Sequence, residues 1–173
     1  MTVMLCTASD NSRAARRFYT HGVVDGSWAS SSGVRASMRA NRGRDTGPEL
    51  ALRSAAHALG LRYRVSTRPL PAVRRTADLV FPTARVAVFL DGCFWHGCPE
   101  HHTVAVTNAG YWAEKVATNK RRDRDTDHRL EEAGWLSVRV WEHEDPTVAA
   151  QSIRALVDQR RKRRARRVIQ PYV

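Results

Sequence analysis

Apolar residues at Leu50, Leu52, Ala55, Ala56 and Leu59 recur at helical spacing directly behind Thr46-Gly47-Pro48-Glu49, a capping-box sequence with proline inside the first turn. Gly60 supplies the stop, so the pattern predicts a helix between them. Two short runs then read as strands, Leu61 to Val65 and Ala77-Asp78-Leu79-Val80-Phe81, with a Pro- and Arg-rich loop from Thr67 to Arg75 between them. Pro82-Thr83-Ala84-Arg85 is a turn, and Val86-Ala87-Val88-Phe89-Leu90, the most hydrophobic stretch of the chain, completes a hairpin. After a loop dense in Cys, His and Gly, a charged helix is predicted from about Tyr111 to Ala133, closed by Gly134. Leu136 to Trp141 alternates as a strand, and a last helix starts near Thr147. The order α, three β, α, β, α, without internal repeat, predicts an α/β fold with a mixed sheet flanked by helices.

At 173 residues the chain is long enough for one ordinary core. A flexible amino-terminal leader is expected over residues 1–35, a single domain over 36–158, and a basic carboxy-terminal tail over 159–173. No apolar run approaches the ~20 residues that span a bilayer, so no membrane role is expected. Three cysteines, Cys6, Cys93 and Cys98, are too few for a secreted disulfide framework, which predicts a cytoplasmic protein. The 29 Lys and Arg against 17 Asp and Glu leave a formal charge of +12, which favours a polyanionic partner, with nucleic acid foremost.

With the hairpin turn centred between Ala84 and Arg85, Asp78 falls opposite Asp91. Facing carboxylates repel unless something positive lies between them, and a hard divalent cation such as Mg²⁺ would resolve the conflict. Alternatively, one Asp starts its strand and the other ends its own before Gly92. From Asp91 to His102 the sequence gathers two thiols, three imidazoles and two large aromatics. Cys93, Cys98 and His101, with His143 arriving after the last strand, have the ligand types of a Zn²⁺ site, although His102 can replace His101 and inert buried thiols remain the alternative. His96, close in sequence to Asp91, is the candidate general base, with a structural imidazole as the alternative. Phe94 and Trp95 beside it suit insertion between base steps, or a small core over the zinc loop. Trp112, Lys115, Asn119, Lys120, Arg121, Arg122 and Arg124 make the long helix fit to lie along phosphates, with solvated salt bridges as the competing account.

Gly92-Cys93-Phe94-Trp95-His96 resembles the signature of the very short patch repair (Vsr) mismatch endonucleases, and the likeness runs from about Ser37 to Glu142. It is carried further by Met38-Arg39-Ala40, Arg44-Asp45-Thr46 with Glu49, the Ala77 to Phe81 strand, Tyr111-Trp112-Ala113-Glu114-Lys115, Asn119 with Arg122-Asp123, Gly134-Trp135 and Val140-Trp141-Glu142. In order and spacing together these segments are highly specific.

The resemblance implies a restriction-endonuclease-like fold with a zinc-bearing loop, and nicking of DNA 5′ to the thymine of a T·G mismatch left by deamination of 5-methylcytosine. It implies that Asp78 and the Leu90 carbonyl hold catalytic Mg²⁺, that His96 activates water with Asp123 orienting it, and that Glu49 supports the site. By the same likeness Phe94, Trp95 and Trp112 wedge into the duplex while Met38 and Arg39 grip it from the other side. Two departures stand out. Asp91 occupies a position where a histidine can occur, and His143 one where a cysteine can serve as zinc ligand, with Cys98 and His101 shifting the middle ligands to give Cys₂His₂. The expected partner is double-stranded DNA carrying a T·G mismatch, bound by a monomer that is nucleoid-associated while on DNA and works beside other mismatch-repair proteins. The rival readings are a related nuclease of other DNA specificity and a non-catalytic zinc-stabilised DNA-binding module.

Overall fold

The computed structural model of the chain describes residues 43–169 and the short strand Val3–Met4, with side chains described for residues 43–166. Met38 and Arg39, and with them nearly all of the predicted leader, lie outside the described residues. In chain order the elements are β1 (Val3–Met4), α1 (Gly47–Ala58), β2 (Arg64–Thr67), β3 (Ala77–Phe81) and β4 (Val86–Asp91), then α2 (Cys93–His96), α3 (Ala109–Glu132), β5 (Leu136–Trp141) and α4 (Pro146–Ile169). They form a mixed α/β fold. The sheet order is β1-β5-β4-β3-β2; β5 lies parallel to both β4 and β1, whereas β2, β3 and β4 run antiparallel.

The first helix starts and stops where its sequence provides the chemistry. The Thr46 side chain caps α1 by accepting from the Glu49 N–H at 3.4 Å, and Glu49 reaches back to the Asp45 N–H at 3.0 Å. At its other end Gly60, in the left-handed region at φ 75°, lets Leu61 N–H return to the Ala56 carbonyl at 3.1 Å and Gly60 N–H to His57 at 2.8 Å, a Schellman closure. That closure displaces the strand predicted from Leu61: Leu61 is buried against α1 and the strand begins at Arg64 instead. Gly134 closes α3 in the same way, with Trp135 N–H on the Leu130 carbonyl at 2.8 Å.

Both faces of the sheet are covered, so β4 and β5 are buried almost along their whole length. Val86, Val88, Val138 and Val140 face Leu52 and Ala56 of α1 and Ile153 and Val157 of α4. Ala87 and Phe89 face the other way, against Leu130 of α3.

Two further expectations need correcting. The hairpin pairs Phe81 with Val86, Val80 with Ala87 and Leu79 with Val88, so its turn is centred between Thr83 and Ala84. Arg85 belongs to the turn, held in the left-handed region at φ 51° with its N–H on the Pro82 carbonyl at 3.1 Å. Continuing that register puts Asp78 opposite Phe89, not opposite Asp91, whose partner is Trp141 on β5. The Cys- and His-rich segment is also not wholly loop, because Cys93–His96 forms the single turn α2.

Candidate active site and metal centre

The residues of interest collect where β4 and β5 end together, at Asp91 and Trp141. Gly92 turns the chain into α2, and a Cβ there would meet Trp95 Cδ1 at 3.1 Å. Glu142 fixes the start of that helix by accepting from the Cys93 N–H at 2.6 Å. Gly97 ends it at φ 62°, so close to α3 that a Cβ would lie 2.6 Å from Lys120 and 2.9 Å from Val116. Asn119 of α3 donates to the Trp95 carbonyl at 2.9 Å, a brace between the two helices. The amide proposed for DNA thus has a task within the protein.

This bracing aims His96 at α3, where its Nδ1 lies 2.6 Å from Asp123 Oδ2 and 3.5 Å from Asp91 Oδ1. Burial works against charging the imidazole, but the hydrogen bond to Asp123 and the charges of Asp91 and Asp123 outweigh it and hold the His96 pKa above its ordinary value. Burial likewise opposes the charge on Asp123, yet the hydrogen bond from His96 and the nearby Arg139 pull its pKa below the usual range. With Nδ1 engaged, Nε2 is the nitrogen left for proton transfer.

Arg139 was not singled out from sequence, and it organises the cluster. Its Nη1 donates to both Asp91 oxygens at 3.0 and 2.8 Å and lies 3.3 Å from Asp123, while its Nε reaches Asp127 at 3.0 Å. Ser137 also donates to Asp127, at 2.6 Å. The positive charge facing Asp91 is therefore a guanidinium, although burial still leaves the Asp91 pKa raised. A signal existed: Ser137 and Arg139 are the polar alternates of a buried strand, and Asp123 and Asp127 are one turn apart on the preceding helix.

On the other side of β4, Asp78 accepts from the Leu90 N–H at 2.8 Å. Burial pushes its pKa up to about 6, with the charges of Glu49 and Asp91 adding and Arg53 opposing. Glu49 itself is held by Arg53 at 2.8 Å.

Phe94, Trp95 and Trp112 are half-buried against one another, with ring centres 5.3 to 5.6 Å apart, and exposed Tyr111 extends the group at 5.2 Å from Trp112. Lys115 is exposed on the same helix.

Comparison with known proteins gives the architecture a family. A family model described as DNA mismatch endonuclease Vsr matches residues 30–103. The type II nicking enzyme V.NaeI of Lentzea aerocolonigenes is 44% identical over 137 residues, covering 78% of this chain and 82% of that enzyme. The chain belongs to the Vsr family of DNA mismatch endonucleases. The Escherichia coli K12 DNA mismatch endonuclease Vsr is 39% identical over 110 residues, covering 61% of this chain and 67% of that protein. The type II nicking enzyme V.NmeDIP of Neisseria meningitidis serogroup C is 37% identical over 125 residues, covering 69% of this chain and 82% of that enzyme.

This Vsr-family endonuclease brings together the four side chains expected for zinc. One donor atom from each of Cys93, Cys98, His101 and His143 lies within 4.8 Å of all the others. Cys93 Sγ is 3.1 Å from His143 Nδ1, and Cys98 Sγ is 3.9 Å from His101 Nδ1 and 3.8 Å from His143 Nδ1. A tetrahedron with ordinary Zn–S and Zn–N bonds has S···N edges of about 3.6 Å, so the set fits. Burial and the neighbouring Cys98 push the Cys93 thiol up to about 12, which a bound cation would reverse, while burial and His101 keep His143 below its ordinary value. His102 is not in this set; it leans on Phe94, 6.0 Å between ring centres. Asp91, His96 and Asp123 also offer donor atoms within 4.8 Å of one another; half-buried Asp78 stands outside that group, and the negative charges of Glu49 and Asp91 near it are compatible with a hard cation there.

Proposed function

We propose that this Vsr-family endonuclease nicks double-stranded DNA on the 5′ side of the thymine in a T·G mismatch by Mg²⁺-dependent hydrolysis, acting in very short patch repair of deaminated 5-methylcytosine. The observation that carries the reading is the contact of His96, on the short helix that presents Phe94 and Trp95, with Asp123 of α3 at 2.6 Å. We read the mixed sheet and its flanking helices as the restriction-endonuclease-like arrangement. Asp78 and the Leu90 carbonyl would hold Mg²⁺, which when bound draws charge from the scissile phosphate and the leaving oxygen. His96 Nε2 takes the proton of the attacking water, and Asp123 fixes the ring and stabilises the imidazolium that forms. Asp91, matched by Arg139, positions His96, and Glu49 keeps the Asp78 neighbourhood negative. Cys93, Cys98, His101 and His143 would hold Zn²⁺, which when bound ties the end of β5 to the loop after α2. The three aromatics wedge beside the mismatch, where weak stacking makes insertion less costly than in paired DNA.

Strand-specific nicking of an end-labelled duplex tests this, with one T·G mismatch or none, in Mg²⁺ or EDTA. Cleavage 5′ to the mismatched thymine, dependent on Mg²⁺ and absent from the paired control, is expected. The names of V.NaeI and V.NmeDIP favour a second reading, a nicking enzyme of other DNA specificity, and equal cutting of paired duplexes would select it. Tight binding without cleavage of either would overturn both and leave a non-catalytic DNA-binding module.

A further inference from the structure

The basic tract of α4 points away from the active site. The carboxy-terminal ends of β4 and β5 carry the site, and α4 starts beside them at Pro146 and runs back over the sheet. Its last core residue is Val157. One turn later Arg160 is fastened to the opposite pole, donating to the carbonyls of Ala84 and Gly134, in the turns that precede β4 and β5. From there the helix continues to Ile169.

Beyond Asp158, which pairs with Arg154 and Arg161 at 3.8 Å, no acidic residue remains on the helix. Among the described residues Lys162, Arg163, Arg164 and Arg166 are exposed and form no ion pair. The length of β4 puts about 17 Å between the two poles, and Arg166 stands a further ~9 Å along the helix from Arg160. DNA seated at the active site is stiff over about 150 bp and does not fold back to this tract.

We propose that the end of α4 is a second DNA-binding surface, holding a separate stretch of duplex by its phosphates while the active site holds another. From Arg160 to Arg167 the tract is nearly pure charge with only Ala165 interspersed, a composition that suits a polyanion better than the aromatic-anchored core of a protein interface. Such a surface suits the uniform phosphate backbone and reads no sequence. Its role is to keep the enzyme on DNA between cleavage events, and it does not depend on the T·G preference proposed above.

The test uses the full chain without Mg²⁺ at low salt, with short duplexes of about one and a half helical turns, too stiff to bend from one pole round to the other. Sedimentation should give two duplexes per protein for the wild type and one for the variant R161Q/K162Q/R163Q/R164Q/R166Q. The second binding step should show a log–log salt slope of about −4 to −5, since each phosphate neutralised contributes about −0.9. Unchanged helicity and unchanged nicking of a short duplex by the variant would show that fold and site are intact. A single duplex on the wild type, a second duplex retained by the variant, or equal loss at both steps would overturn the proposal. So would polyglutamate displacing the second duplex at lower charge concentration than DNA does, which would indicate an acidic protein partner. None of these outcomes depends on whether T·G is the preferred lesion.

Discussion

Asp91 and Arg139 meet between the two central parallel strands, with one guanidinium nitrogen donating to both carboxylate oxygens at 2.8 and 3.0 Å and both side chains only 5% exposed. The same guanidinium also bonds Asp127 and lies beside Asp123, so one cation compensates three carboxylates behind His96. The electrostatic centre of the site is therefore a strand residue that is itself only 5% exposed.

Replacing Arg139 by Met should cost about 3–5 kcal/mol, the range for removing one partner of a buried pair. The stranded carboxylates, not a lost attraction, set that size. Urea unfolding at neutral pH measures it, and a change under about 1 kcal/mol would show that water reaches the cluster. Arg139→Lys should lie between, since one ammonium cannot bridge Asp91 and Asp127 with the same fork.

His96→Ala should lower kcat by about 10²–10⁴, the usual contribution of a general base, and leave affinity for DNA nearly unchanged. The pH dependence has a definite sign. A base works only when unprotonated, and His96 keeps its proton to a higher pH than an ordinary imidazole because Asp123 and Asp91 stabilise the charged form. The rate should therefore rise with pH until past that elevated value. Asp123→Asn removes the main stabiliser, so the limb should move to lower pH while kcat falls; an unmoved limb would assign it to another group.

Much of this was legible in the chain. Thr46 with Glu49 named the start of α1, Gly60 and Gly134 named two helix ends, and the order of the longer elements was correct, though not β1 or α2, because long apolar periods and caps are local signals. Long-range partners were less legible. Four residues from Cys93 to His96 are too few to show a period, so α2 read as loop. A left-handed Arg85 does not announce itself, and it shifted the hairpin register by two. Arg139 read as an ordinary polar alternate of a strand, because its meaning depends on Asp127 and Asp91 arriving from two other elements.

Gly97→Ala should destabilise the protein although it adds only a methyl group. The left-handed backbone at φ 62° costs about 1–2 kcal/mol for a residue with a Cβ, and that Cβ would press on Val116 of α3. Thermal unfolding measures the loss. Because Gly97 closes the helix carrying His96, activity per folded molecule should fall as well, and full specific activity would show that α2 adjusts without moving the imidazole.

The donor set around His143 predicts about one zinc per chain as purified, lost in Cys93→Ser and His143→Ala but kept in His102→Ala. Metal analysis distinguishes these directly. Zinc retained by Cys93→Ser and lost by His102→Ala would mean that the loop after α2 rearranges to offer a different ligand set.

Trp95→Ala separates recognition from chemistry. Its indole touches both Phe94 and Trp112, at 5.3 and 5.6 Å between ring centres, so removing it opens the middle of the aromatic group while its backbone carbonyl keeps the bond from Asn119. If the aromatics enter the duplex where stacking is weak, part of the preference for mismatched over paired DNA is the difference in unstacking cost, a few kcal/mol per step. Losing one of three wedging rings should shrink the ratio of cleavage rates on mismatched and paired duplexes by about 10-fold or more, with a smaller change in the rate on bound mismatched DNA. Single-turnover rates on the two duplexes give that ratio. An unchanged ratio with a lower rate on both would place Trp95 in holding α2 alone, and discrimination would then rest on Phe94, Trp112 or contacts to the bases.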